Sequence, residues 1–421
     1  DVRAGALHAR GMGLILDIVP NHMGVMGADN AWWLDVLENG PASAFAGYFD
    51  IDWQPARAEL AGRVLVPVLG DHYGVVLEAG ELRLGLDADA RGLAVHYYEH
   101  RFPLDPGTWP LLLEYWPEHL EAAVGADSVE LAELRDLSGA LAELPGRGTV
   151  GAERRAQRER VKEGARERLA RLCGACPEIR AHLDAVCAFF NGLVGEPSSF
   201  EPLHDLIEAQ AWRLAHWRVA GDEINYRRFF DINDLAGLTA EREEVFEATH
   251  RLVLDLRAGG HLDGVRVDHP DGLYDPRGYL RRLARRLESA APAGAVPAYR
   301  VVEKILMGSE SLPGDWPVHG TTGYDFANLV GRLFVDPGGE RGLTNAYHRF
   351  VGRRVRFDVE TYQARHQVMR RQMAAELATL ASPLRRLIGK AKRMVNIQNW
   401  FIAEAAHELR TPLTALTGDL S

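Results

Sequence analysis

The stretch Leu262-Asp-Gly-Val-Arg-Val-Asp268 decides the fold, because it is a short, largely apolar run that closes on an acidic residue. A continuous run of this kind predicts a parallel strand that is buried on both faces. Residues 14–19 and 298–303 have the same character. Residues 276–290 are rich in Leu and Arg at helical spacing, so the region from 262 to 303 predicts a strand-helix-strand unit.

Consecutive strand-helix-strand units are the building blocks of parallel sheets and barrels. We therefore predict an α/β fold, an incomplete (β/α)8 TIM-type barrel with a large, mainly α-helical insertion and a C-terminal helical tail. The chain has no initiator Met and enters directly into a helix-like stretch before its first strand, from which we expect a fragment.

The long separation between the first two predicted strands indicates an insertion, because a crossover helix needs far fewer residues. Its first part holds aromatic and turn signals with strand candidates at 64–69 and 93–98. Its second part has helical periodicity, and the charged stretch 150–171 is interpreted as a solvated helix face. The expected segments are 1–22 (barrel strand), 23–110 (inserted small domain), 111–260 (helical insertion), 261–345 (barrel continuation), 346–381 (helical segment) and 382–421 (C-terminal helix).

Composition narrows the class of partner. The formal net charge is −11, which argues against a nucleic acid ligand. No apolar run approaches the roughly 20 residues that span a bilayer, and no signal peptide pattern opens the chain, so a cytoplasmic protein is expected. The order Cys173-x2-Cys176-x5-His182-x4-Cys187 could bind zinc, but helical spacing favours reduced cysteines packed along a helix. We expect no metal and no cofactor.

Acidic residues lie at or near the carboxyl ends of all three predicted strands, namely Asp17, Asp268 and Glu303. Such ends converge on one rim of a barrel. Cleavage of a glycosidic bond with retention needs a carboxylate nucleophile and a carboxylic acid about 5 to 5.5 Å apart. Arg266 lies two residues before Asp268, on the same strand face, where its charge would hold Asp268 ionised. Burial beside a second carboxylate should raise the pKa of Glu303, as an acid requires.

The alternative is that each acid is a helix cap or a loop anchor. His22 and His269 follow strand ends closely, and a single such His is usually structural; beside two acids, donors to sugar hydroxyls become the better interpretation. Several aromatic side chains could either form core or pack on sugar rings, and the sequence leaves both open. They are Trp32, Trp33, Tyr48, Phe49 and Trp53.

Three short motifs resemble those shared by the α-amylase superfamily: Asp17-Ile-Val-Pro-Asn-His22, Gly264-Val-Arg-Val-Asp-His269 and Val302-Glu-Lys304. Longer strings resemble the maltooligosyl trehalose synthases within it, over residues 1 to about 380. These strings cover residues 33–43, 49–53, 224–235, 268–272 and 320–326.

The resemblance implies an enzyme that converts the reducing-end α-1,4 bond of a maltooligosaccharide to an α,α-1,1 bond by intramolecular transglucosylation. Asp268 would be the nucleophile and Glu303 the acid and base. The substrate-binding residues would be Asp17, Asn21, His22, Arg266, His269, Tyr324 and Asp325. The alternatives are an amylase-type glycoside hydrolase and a non-catalytic carbohydrate-binding remnant.

The resemblance also implies a third carboxylate on a later strand, which we cannot place in this sequence. For that reason, and because barrel strands are missing, we expect little activity from this chain. Residues 401–416, Phe-Ile-Ala-Glu-Ala-Ala-His407-Glu-Leu-Arg-Thr-Pro-Leu-Thr-Ala-Leu, resemble instead the phosphoacceptor helix of sensor histidine kinases. His407 would be the phosphorylated residue, so a phosphoacceptor fragment is a further alternative.

Overall fold

The computed structural model describes residues 2–27, 29–89, 91–148 and 151–381. His407 and the helix expected around it lie outside these residues. The helices are α1 Val2–His8, α2 Ala31–Asn39, α3 Tyr73–Glu78, α4 Pro110–Leu113, α5 Pro117–Val124, α6 Val129–Ala142, α7 Ala152–Ala175, α8 Pro177–Phe190, α9 Glu201–Glu208, α10 Ala220–Glu223, α11 Glu243–Ala258, α12 Pro276–Ala290, α13 Tyr324–Arg332, α14 Glu340–Val351 and α15 Phe357–Arg371. The strands are β1 Ile15–Ile18, β2 His22–Gly24, β3 Val64–Leu69, β4 Arg83–Leu86, β5 Leu93–Tyr97, β6 His100–Pro103, β7 Trp212–His216, β8 Arg228–Phe229, β9 Ile232–Gly237, β10 Gly264–Val267, β11 Tyr299–Val302 and β12 Gly320–Thr321.

The three predicted strands are confirmed and lie side by side as β1, β10 and β11 of one parallel sheet. After the insertion the chain re-enters the parallel sheet at the position next to β1, because β10 pairs directly with β1. A fourth parallel strand, β12, pairs with β11 and was not predicted, since it has only two residues and no apolar run. The fold is thus α/β, with four parallel strands whose carboxyl ends share one edge.

Helices α11 and α12 cover this sheet through a core of apolar side chains that includes Phe246, Val265 and Leu283. Gly264 fits where β10 and β11 approach closely. A methyl group at Gly264 would lie 2.5 Å from the carbonyl oxygen of Tyr299. No larger residue fits this position without moving a strand.

The insertion packs around a second core that runs from Val25 to Leu238 and includes residues on both sides of the predicted boundary at 110. The predicted strands at 64–69 and 93–98 are confirmed as β3 and β5. β3 pairs with β7, β5 lies between β4 and β6, and β9 lies between β2 and β8. Because β2 begins at His22, the small sheet β2-β9-β8 joins the insertion to the edge of the parallel sheet.

The interpretation of residues 150–171 as a solvated helix face is wrong in part. The segment lies largely within α7, but Arg158 and Lys162 are buried. Lys162 Nζ lies 2.7 Å from Asp35 Oδ1 and 3.5 Å from Glu38 Oε2, both on α2. A buried charge is retained where it is paired, so these two cations of α7 face acids of the insertion rather than water.

The cysteines lie in the core of the helical insertion, where Cys173, Cys176 and Cys187 are buried as free thiols. Burial raises the pKa of Cys173 to about 11 and that of Cys187 to about 12. The ring of His182 faces the carbonyl oxygen of Tyr115 at 3.0 Å. Within the described ranges, no group of three or more His, Cys, Asp or Glu side chains is arranged to hold a metal ion.

Helices α13 to α15 follow β12, and they expose large apolar side chains such as Phe326, Phe350 and Phe357. Residues 374–381 are also helical. Glu376 pairs with Arg228 of β8 at 2.7 Å, and Ala375 is buried in the core of the insertion. In the part of the chain that the structure describes, no helix is both long and apolar enough to cross a membrane.

Candidate active site

The guanidinium group of Arg266 joins the three strand-end carboxylates. Asp17 and Arg266 are register partners on β1 and β10, while Asp268 and Glu303 come directly after β10 and β11. Arg266 Nη1 lies 2.8 Å from Asp17 Oδ1 and 2.6 Å from Asp268 Oδ1. Its Nη2 lies 3.1 Å from Glu303 Oε1. A single fixed cation therefore offsets the repulsion among three acids gathered at one sheet edge.

Backbone hydrogen bonds fix both acids of the proposed pair at the strand ends. The amide of Asp268 donates to the carbonyl of Ile18 at 2.9 Å, and the amide of Glu303 donates to the carbonyl of Val267 at 2.8 Å. Their side chains lie within hydrogen-bonding range of each other. Two carboxyl groups in such contact share a proton more readily than they carry two charges.

The expected raised pKa of Glu303 is wrong for this arrangement. Partial burial and then the hydrogen bond to Glu303 raise the pKa of Asp268. Burial would also raise the pKa of Glu303, but hydrogen bonds to Tyr324 and Asp268, the charge of Arg266 and the His269 amide hold it below its usual range. The pKa of Glu303 is thus shifted opposite to the expectation, because more donors converge on this carboxylate than the sequence revealed.

Asn21, His22 and His269 lie together beside the carboxylates. Asn21 is buried, and its Oδ1 lies 2.8 Å from His22 Nδ1. Burial, together with the charges of His269 and Arg227, lowers the pKa of His22, which keeps its ring neutral. A methyl group at Gly272 would clash with both the Asn21 amide and the His269 ring, so this glycine permits their close approach.

Tyr324 and Asp325 lie at the start of α13, just beyond β12, and face different partners. The Tyr324 hydroxyl donates to Glu303 Oε1 at 2.9 Å. Asp325 Oδ2 accepts a hydrogen bond from the Thr321 hydroxyl at 3.1 Å, which ties it back to β12. Tyr324 is therefore in direct contact with the acid pair, and the contact made by Asp325 is with the strand that precedes it.

Two of the recognised sequence strings meet in space and brace the site from the side of the insertion. The backbones of Phe49 and Ile51 bridge to Leu238 and Tyr226. Arg227 joins Asp50 at 2.9 Å and donates to the carbonyl of Leu238 at 2.7 Å. These strings hold the small sheet β2-β9-β8 beside the carboxyl edge of the parallel sheet.

The aromatic residues left open by the sequence divide between core and surface. Trp33 and Phe49 are buried, whereas Trp32, Tyr48 and Trp53 are half-buried against that core. Trp32 lines an open cavity of about 540 Å³.

An aromatic pair that the sequence analysis did not single out contacts the two histidines beside the acids. Phe229 of β8 stacks on His22 with ring centroids 4.1 Å apart and meets His269 edge to face at 5.1 Å. Its neighbour Phe230 lies 5.5 Å from His269. The signal available in the sequence was their place in the string 224–235.

Comparison with known proteins gives one consistent result. A putative maltooligosyl trehalose synthase of Mycobacterium tuberculosis is 33% identical over 390 residues, which are 91% of this chain and 35% of the relative. The solved maltooligosyltrehalose synthase of Arthrobacter ramosus is 32% identical with a TM-score of 0.59, covering 90% of this chain and 36% of that one. The solved DSM5389 glycosyltrehalose synthase is 26% identical with a TM-score of 0.60, covering 90% of this chain and 38% of that one. No family model matches the chain. The chain thus spans about a third of the length of these relatives.

Proposed function

Because the chain is homologous to maltooligosyl trehalose synthases over 91% of its length, we propose that it is part of such an enzyme. The reaction converts the reducing-end α-1,4 bond of a maltooligosaccharide to an α,α-1,1 bond by intramolecular transglucosylation. The observation that carries this proposal is the group of three carboxylates on one arginine, Asp17, Asp268 and Glu303 on Arg266, at the carboxyl edge of a parallel sheet. We further propose that the four strands belong to a (β/α)8 barrel.

In the proposed mechanism, Asp268 attacks the anomeric carbon while Glu303 gives its proton to the departing glycosidic oxygen. A covalent glucosyl enzyme forms, and the reducing-end glucose is released without leaving the site. The anomeric hydroxyl of that glucose then attacks the glucosyl carbon, and Glu303 takes its proton. The new bond is α,α-1,1, and both carboxyl groups return to their starting state.

The directions of the two pKa shifts give substrate binding a specific task. In the ligand-free arrangement the pKa of Asp268 is raised and that of Glu303 is lowered, whereas attack needs Asp268 ionised and Glu303 protonated. Sugar hydroxyl groups that donate to Asp268 stabilise its charge and favour transfer of the proton to Glu303. Arg266 supports the change, because it contacts both carboxylates and remains charged throughout.

The glucose unit at Asp268 would be held by the polar groups around it. Asp17 and Arg266 form one hydrogen-bonded pair of this group, and Asn21 and His22 form another. His269 follows Asp268 directly. Tyr324 orients Glu303, and Asp325 ties the start of α13, which carries Tyr324, to β12. The reaction needs no metal or organic cofactor.

Isomerisation and hydrolysis differ in what attacks the glucosyl enzyme: the anomeric hydroxyl of the released glucose in the first case and a water molecule in the second. Incubation with maltopentaose distinguishes the two reactions. Both the chain alone and a version extended to the full length of its relatives are tested. The proposal expects the extended version to lose reducing ends without releasing glucose, and it expects little turnover from the chain alone. The Asp268→Asn variant of the extended version should lose no reducing ends. Release of glucose would instead identify an amylase-type hydrolase, and normal activity in Asp268→Asn would exclude the mechanism.

A further inference from the structure

The turn between β8 and β9 holds an aromatic residue in an unfavourable backbone conformation. Phe229 pairs with Ile232, so Phe230 and Asp231 form a two-residue hairpin turn. Phe230 has φ of 52°, a left-handed value that favours Gly at the first position of such a turn. Its side chain is nevertheless 57% exposed. Neither turn chemistry nor burial explains a phenylalanine here.

The residue that Phe230 faces is strained in the same way. His269, directly after Asp268, has φ of 41°. The two rings lie 5.5 Å apart, and Phe230 also lies 4.4 Å from Phe229. Left-handed residues other than Gly cluster at functional sites, where the surrounding structure holds them in place. Here two of them meet beside the acid pair.

We propose that Phe230 is a sugar-stacking platform at the mouth of the catalytic site, and that it contacts the flat face of a glucose ring in the maltooligosaccharide. This inference rests on the proposed function. An exposed aromatic face beside His269 offers an apolar surface of the shape that a pyranose ring covers, next to polar groups that fix the ring's orientation. A bound ring would also cover the approach to Asp268 from the side of the hairpin and so exclude water.

The chain contains a matched control for this residue. Tyr98 is the first residue of the two-residue turn between β5 and β6, with φ of 50° and a side chain that is 73% exposed. Its ring contacts Tyr97 at 4.8 Å, and its hydroxyl lies 3.2 Å from Glu81. The two turns share geometry and exposure, but the contacts of Tyr98 are with the insertion rather than with the acid pair.

The test is calorimetric titration of the full chain with maltopentaose, alongside thermal unfolding. Phe230→Gly should weaken binding by about five- to tenfold, the effect expected of one lost ring contact. It should not lower the melting temperature, because Gly accepts positive φ. Tyr98→Gly should leave affinity unchanged, and Phe230→Tyr should keep it close to that of the wild type. If Phe230→Gly does not fold, Phe230→Asn takes its place, because Asn also tolerates positive φ.

The outcomes separate this inference from the function on which it rests. Unchanged affinity in Phe230→Gly, in a chain whose wild type binds maltopentaose, would overturn the platform and leave the proposed function standing. An equal loss of affinity in Tyr98→Gly would also overturn it. A wild-type chain that does not bind maltopentaose would contradict the substrate, and the platform with it.

Discussion

Arg266 Nη1 lies 2.6 Å from Asp268 Oδ1, and its other terminal nitrogen reaches Glu303, so one guanidinium group spans the whole acid pair. A planar fork with several donors can do this, whereas the compact ammonium group of lysine cannot. The electrostatics of both acids therefore depend on the shape of Arg266 as well as on its charge.

Arg266→Lys should lower kcat/KM by about 100-fold, because the acids lose orientation as well as charge balance. The acidic limb of the pH profile should move to higher pH, since the pKa of Asp268 rises further. Both effects are measured with maltopentaose in the full-length version. The control is Arg281→Lys, at an exposed residue of α12 that pairs with Asp315. It should change neither kcat/KM nor the pH profile. Wild-type kinetics in Arg266→Lys would exclude the bridging role.

Tyr324→Phe should raise the pKa of Glu303. The Tyr324 hydroxyl donates to Glu303 at 2.9 Å and stabilises its charged form, against the effect of burial. A carbon-13 NMR titration of the glutamate carboxyl groups of the chain measures the pKa directly and requires no turnover. Tyr362→Phe, an exposed tyrosine on α15, should leave the Glu303 signal in place. An unmoved or lowered pKa of Glu303 in Tyr324→Phe would contradict the stabilisation of the Glu303 carboxylate by the Tyr324 hydroxyl.

The sequence revealed the strands and the acids because both signals are local. Buried strands show as apolar runs, and parallel pairing then places Asp17, Asp268 and Glu303 at one edge. It could not reveal the direction of the pKa shift at Glu303, because Tyr324 reaches Glu303 from the start of α13, beyond a strand too short to detect. Nor could it show that Lys162 is buried, since its partners on α2 lie far away in the sequence.

Gly272→Ala should weaken maltopentaose binding by about tenfold or more, because the added methyl group forces apart Asn21 and the His269 ring. Stability should fall only modestly if these two side chains can move. The control is Gly331→Ala on the exposed α13, where nothing lies within 4 Å. There, alanine should raise stability by roughly 0.5 to 1 kcal/mol through its helix propensity, without affecting binding. Equal affinities in the two variants would mean that Asn21 and His269 do not define the glucose pocket.

Lys162→Met should lower the free energy of unfolding by about 3 to 5 kcal/mol, measured by urea denaturation. The loss comes chiefly from Asp35, which is left behind without its cation, because the buried Glu38 keeps Arg166 at 2.6 Å. Adding Asp35→Asn should therefore recover part of the stability. Arg171→Met on the same helix, an exposed partner of Glu133, should cost less than about 1 kcal/mol. If Lys162→Met and Arg171→Met lower the free energy of unfolding by similar amounts, Lys162 lies on a solvated face of α7 after all.

The helix pair that covers the parallel sheet should make the fold sensitive to acid. His250 on α11 is buried, its Nε2 lies 2.7 Å from the Tyr279 hydroxyl of α12, and burial lowers its pKa to about 4. The unfolded chain binds a proton at His250 below about pH 6.5. The folded chain does so only near pH 4. Stability should thus be unaffected by His250 above pH 6.5 and should decrease by about 3 kcal/mol between pH 6.5 and pH 4. His250→Gln removes the titrating group, so the difference in unfolding free energy between wild type and variant should narrow by that amount over the same interval. A difference that stays constant with pH would show that His250 titrates normally in the folded protein and that α11 and α12 are not packed as described.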